Sequence, residues 1–173
     1  METKITTHIT KGVLIALIFI IYSLVGHVLN FDLESWFGWI ATGIFIIAII
    51  WSVVIYGNQM NNNVTFGNLF SHGFKVTAVV ICITFVYTLL SVYVIFPDSI
   101  DRITRKGIDT AIQQGKMTSD QAQQSSAMIK KITTVSLLAG SVVINAIIGA
   151  LGSLIGAAVA KKNPQGPFGN QPM

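Results

Sequence analysis

Residues 36–56 read WFGWIATGIFIIAIIWSVVIY and contain no Asp, Glu, Lys or Arg. An α-helix rises about 1.5 Å per residue, so about 20 apolar residues cross a hydrocarbon core of about 30 Å. The run is apolar on every side, as a helix surrounded by lipid is, and it lacks the alternation of a barrel strand. Trp36, Trp39, Trp51 and Tyr56 lie towards its ends, where rings with a polar edge favour the headgroup layer. A helix here closes its own backbone hydrogen bonds, which a waterless medium demands. This stretch predicts a membrane span.

Three more runs meet the same requirement: residues 12–29 (GVLIALIFIIYSLVGHVL), 76–96 (VTAVVICITFVYTLLSVYVIF) and 132–160. The whole chain of 173 residues has 11 Lys or Arg and 7 Asp or Glu, which is 10% charged, against about 25% for a soluble domain. Mean hydropathy is +0.67. No polar shell for a water-soluble fold can be built from this composition, which excludes a soluble enzyme, a disordered chain and a disulfide-stapled secreted module. Lys4 and Lys11 before the first run resemble a basic leader, but the run is long for one and Leu24-Val25-Gly26-His27 is a poor cleavage site. The expected fold is therefore all-α and polytopic: a single four-helix transmembrane domain over residues 1–162.

Outside the lipid, residues 98–131 read as a helical hairpin between the third and fourth spans. Pro97 stops the third span, and Asp98 or Ser99 can cap a new helix. Ile100, Ile103, Ile108, Ala111 and Ile112 oppose Asp101, Arg102, Arg105, Lys106 and Asp109; Gly115 suits a helix stop. Thr118 with Gln121 is a capping-box pattern, from which the fourth helix is expected to run on from about Ser119. Residues 57–71, rich in Gly and Asn, read as a loop. Residues 163–173 have nothing to bury and read as a disordered tail.

Orientation follows from the first hairpin. Five Lys fall on the side of the termini and six Lys or Arg in the 97–131 segment opposite, so the tally alone decides nothing. Lys4 and Lys11 precede the first span while Asp32 and Glu34 follow it, and the first helix usually dominates. Both termini are expected in the cytoplasm.

In the fourth span Ser141, Asn145, Gly149, Ser153 and Ala157 recur every fourth residue, beside Gly152 and Gly156. Small residues on one helix face let another helix approach closely. The approaching helix belongs either to the same chain or to another subunit. Asn145 lies near mid-span, where an unpaired amide is costly, and it is expected to bond to a hydroxyl such as that of Thr42, Thr84 or Thr88. His72 and Lys75, three residues apart, can share a helix face towards a headgroup phosphate or serve as interfacial anchors. Neither the three histidines nor Cys82 has the spacing of a metal or thiol motif. No phosphate loop, nucleophile elbow or acid pair is visible, so no catalytic, cofactor or metal residue is assigned. The net charge of +4 sits at membrane-flanking positions that suit anionic lipid rather than nucleic acid.

Lys11-Gly12, the stretch Thr65-Phe66-Gly67-Asn68-Leu69-Phe70-Ser71-His72-Gly73-Phe74-Lys75, Pro97-Asp98 and the Gly-rich close ending Ala160-Lys161-Lys162-Asn163-Pro164 resemble the family called domain of unknown function 4199. The resemblance implies a small four-span protein of the bacterial inner membrane of Bacteroidota and transfers no active site. The function expected is that of a non-enzymatic accessory, scaffold or assembly subunit acting through helix packing, with the bilayer and a second copy or another membrane protein as partners. The alternative is a small passive channel or carrier for an uncharged or lipid-like substrate, along Thr42, Thr84, Thr88 and Asn145. A membrane enzyme is the third reading, and it needs His72, Lys75 and the charges of residues 98–131 to converge.

Overall fold

The computed structural model describes residues 6–163, and among these the regular structure is helical. Its α-helices are α1 (His8–Val28), α2 (Ser35–Gln59), α3 (Phe66–Leu90), α4 (Ser99–Gln113) and α5 (Ser119–Val159). Four segments are long and apolar enough to cross a membrane: His8–Val28, Ser35–Gln59, Phe66–Ile95 and Ser119–Val159. Large apolar side chains stand outward all along them, from Trp39 at 76% exposure to Ile47, Val86 and Val159. Outward apolar side chains along every span are what a lipid-facing surface presents. The chain is an all-helical, multi-pass membrane protein. Lys4 and the tail beyond Asn163 fall outside the described residues.

The contacts group into two compact units. Among the described residues the first comprises 6–83 and 145–163, so it holds α1, α2, the first part of α3 and the last part of α5. Its core joins Ile15 and Ala16 of α1, Phe45, Ile49 and Val53 of α2, Leu69, Val76 and Val80 of α3, and Ala157 of α5. Lipid tails are as apolar as these side chains, so shape rather than escape from water holds the helices together. Glycines make the fit. A Cβ on Gly12 would stand 2.6 Å from Val79, one on Gly73 2.6 Å from Val53 and 2.7 Å from the Ser153 hydroxyl, and one on Gly156 2.9 Å from Val53. At the other end of α1, Tyr22 stacks on Phe37 with centroids 4.1 Å apart and donates its hydroxyl to the Phe37 carbonyl at 2.8 Å.

Helix starts and stops have local causes. Thr7 accepts a bond from the Thr10 amide at 3.2 Å and opens α1. Thr65 accepts one from the Asn68 amide at 3.3 Å, so α3 begins at Phe66, ten residues before the charge-free run. The segment read as a 57–71 loop is accordingly shorter. Asn61 and Asn62 make the turn with φ of 52° and 60°, angles asparagine tolerates better than most residues.

The second unit comprises residues 84–144. There α3 ends at Leu90, and a π-helical turn, Ser91–Ile95, carries the span to Phe96 and Pro97. Asp98 sits at the N-cap position of α4 without a side-chain capping bond, so its carboxylate does not do what the sequence suggested. Gly115, at φ 67°, ends the turn after α4 while its own amide donates to Ile112 and that of Lys116 to Ala111. The Gln121 amide donates to the Thr118 hydroxyl, and the Thr118 amide to the Gln121 side chain. Lys130 pairs with Asp101 at 2.6 Å.

Candidate functional site

The first unit gathers the start of α1, the end of α2 and the start of α3 around an open recess of about 380 Å³ whose wall mixes polar groups with a larger apolar surface. Two caps place its side chains. Thr7 opens α1 one residue before His8 and four before Lys11. Thr65 opens α3 so that His72 and Lys75 lie within its first three turns. The two helices carry the same spacing, His8-Ile9-Thr10-Lys11 and His72-Gly73-Phe74-Lys75, and three residues along a helix share a face.

Tyr56 of α2 is the shared platform. The His72 ring stacks on it with centroids 4.0 Å apart and planes 4° from parallel. His8 meets His72 edge-on at 6.4 Å and 89°. Lys11, only 3% exposed, sends its ammonium to the Ser52 carbonyl at 3.1 Å and stands 5.8 Å from the Tyr56 ring centre. Ser52 and Tyr56 are four residues apart, so one face of α2 offers both contacts. A carbonyl oxygen and a ring face, rather than a carboxylate, meet this buried charge. Thr6 and Gln59 close one side with reciprocal bonds: the Thr6 amide donates to Oε1 at 3.2 Å, and Nε2 donates to the Thr6 hydroxyl at 2.9 Å.

His72 is 7% exposed, and its buried Nε2 has no hydrogen-bond partner. Such an atom is costly unless something pairs with it. The described lining offers imidazoles from His8 and His72, the Lys75 ammonium, hydroxyls from Thr6, Thr7 and Ser71 and the Asn68 amide, with no carboxylate among them. Chemically, the cavity is a donor-rich, cation-bearing recess suited to an anion.

Of the residues expected to matter, His72 and Lys75 therefore come together in one site. His8 and Tyr56 complete it, with Lys11 buried beside Tyr56. The repeated His-x-x-Lys spacing was the available signal for the two α1 residues, whereas nothing in the sequence pointed to Tyr56 as more than an interfacial ring. No group of three or more His, Cys, Asp or Glu side chains that could hold a metal is found among the described residues.

The small-residue face of α5 divides. Gly149 stands against Thr77 of α3, Gly152 against Ile49 of α2, Ser153 against Gly73 of α3, and Gly156 against Val53 of α2. These four residues serve packing inside the chain. Ser141 and Asn145 are half-buried, and the Ser141 hydroxyl bonds back to the Leu138 carbonyl at 2.9 Å. Thr42 and Thr88, expected as partners of Asn145, instead donate to the Gly38 and Thr84 carbonyls of their own helices.

No curated protein and no solved structure matches the chain. A family model does match, over residues 10–162, under the description "Protein of unknown function (DUF4199)". With four membrane-crossing helices and a match over most of its length, the chain belongs to the DUF4199 family.

Proposed function

We propose that this chain is a non-enzymatic accessory or scaffold subunit of a bacterial inner membrane, which works by packing its spans against a partner. One observation carries the reading. The Asn145 carboxamide lies in the membrane-crossing part of α5, half-buried and without a hydrogen-bond partner among the described residues. An amide in hydrocarbon needs an acceptor and a donor. Gly149, Gly152, Ser153 and Gly156 are already occupied by α2 and α3, so the next position of the same row, Asn145, is left for a helix from another subunit.

Extraction in a mild detergent should give an oligomer or a complex, and Asn145→Leu should disperse it while leaving the fold intact. In a chain whose single cysteine, the exposed Cys82, is replaced by Ala, a cysteine at 145 should crosslink to the partner. A strictly monomeric wild-type protein with no crosslinked neighbour sinks the subunit reading. Ready reaction of that cysteine with a water-soluble thiol reagent points instead to a polar path through the membrane.

A further inference from the structure

We propose that the cavity between α1, α2 and α3 is a binding site for a phosphate group. This goes beyond the subunit reading and does not depend on it, because the site and Asn145 lie on different elements. The argument rests on geometry and chemistry together. Two imidazoles and an ammonium converge on one recess whose described lining carries no carboxylate. Behind them stands Lys11, held in place by the Ser52 carbonyl and facing Tyr56. A recess so rich in cationic and neutral donors favours a ligand of negative charge with several acceptor oxygens, and a phosphate has both.

The buried Nε2 of His72 is the second observation. The ring stacks on Tyr56 and meets His8 edge-on, and its Nε2 is left without a partner. Buried polar atoms in proteins are rarely unpaired, and a water, an ion or a ligand completes most that are; among the buried unpaired atoms here, that of His72 belongs to a residue lining the cavity. A phosphate held by Lys75 and His8, which line the recess, would pair it once the ring turns its buried Nε2–H towards the ligand.

The surroundings favour a phosphate carried by a lipid. Ile9 lines the cavity and is 55% exposed, and from it Val13, Leu17 and Ile21 continue down α1 at four-residue spacing, all exposed. Residues spaced by four lie along one face. An acyl chain can therefore follow this apolar row while its headgroup phosphate occupies the recess. A free phosphate uses the same donors and ignores the row, and that difference separates the two sources.

The test uses the full chain in detergent micelles. Its thermal midpoint is followed on adding phosphatidylglycerol, diacylglycerol with the same acyl chains, or sodium phosphate against sodium chloride at equal ionic strength. Phosphatidylglycerol should raise the midpoint where diacylglycerol does not, and sodium phosphate alone doing so assigns the site to the free anion. Removing one charge-assisted contact with Lys75→Gln or His8→Gln should weaken apparent affinity about tenfold, and Lys75→Arg should restore most of it. Both positions border the cavity, so these variants are expected to fold. His72→Gln serves as a third variant whose folding is checked by its own midpoint. No response to either phosphate source, or an equal response from wild type and the Lys75→Gln, His8→Gln double variant, overturns the proposal.

Discussion

Gly149 has no room for a methyl group, because a Cβ there would overlap the Thr77 side chain. Thr77 is fully buried and its hydroxyl donates to the Gly73 carbonyl at 3.0 Å, so it cannot swing away freely. Gly149→Ala should therefore lower stability by about 1–3 kcal/mol, the usual cost of overpacking, read as a shift in a denaturing-detergent titration. Gly38→Ala and Gly43→Ala are the controls, since nothing lies within 4 Å of a Cβ at either position, and neither should lower stability, because Ala favours a helix over Gly by up to about 1 kcal/mol. Equal losses at all three positions would mean that helix contact is not what Gly149 provides. Tyr22→Phe keeps the stack on Phe37 and removes only the 2.8 Å bond to the Phe37 carbonyl. A loss of about 1 kcal/mol is expected, with none of the lipid dependence predicted for Lys75→Gln.

At the scale of an element, α3 shows how a cap sets a site. The hydrophobic run alone starts the third span at Val76, after His72 and Lys75. Thr65 moves the start to Phe66 by satisfying the Asn68 amide, and the extra turns put both residues on α3, with His72 stacked on Tyr56. Thr65→Ala should cost about 1 kcal/mol and speed hydrogen exchange at the Asn68 and Leu69 amides, with Thr65→Ser retaining both. Exchange rates that do not change at those amides would remove the cap from the explanation. The four spans were legible because uncharged runs of that length have one physical solution in a bilayer. Their boundaries were less so, since polar caps such as Thr7 and Thr65 stand outside the apolar windows. The Asp98 cap failed for a related reason: a carboxylate near a helix start makes a capping bond only in the right backbone geometry, and at φ −79°, ψ −11° Asp98 is already helical.

For the molecule, the first unit brings the flanks of several helices to one end. Thr6 bonds Gln59, the Asn163 amide donates to the Asn62 carbonyl at 2.7 Å, and Lys162 stands 5.6 Å from the Phe66 ring centre. Residues 6–8, the 60–65 turn and the end of α5 must then emerge on one side of the membrane. Single cysteines at Asn61 and Lys161, in a Cys82→Ala background, should be labelled from the same face of sealed vesicles, and one at Glu34 from the other. Labelling of 61 and 161 from opposite faces is incompatible with this arrangement.

Solvent determined what the sequence could say alone. Long tracts without charge require hydrocarbon around them, and a helix is the structure that satisfies its own backbone there, so the fold class and the number of spans follow from residue order. The partners of each face required the tertiary structure. A row of small residues in α5 permits close approach without saying to whom, and only the packed chain assigns Gly149 to Thr77 and Gly156 to Val53. In the same way, two His-x-x-Lys segments more than sixty residues apart become one cavity because helix packing, a long-range property, sets them around Tyr56.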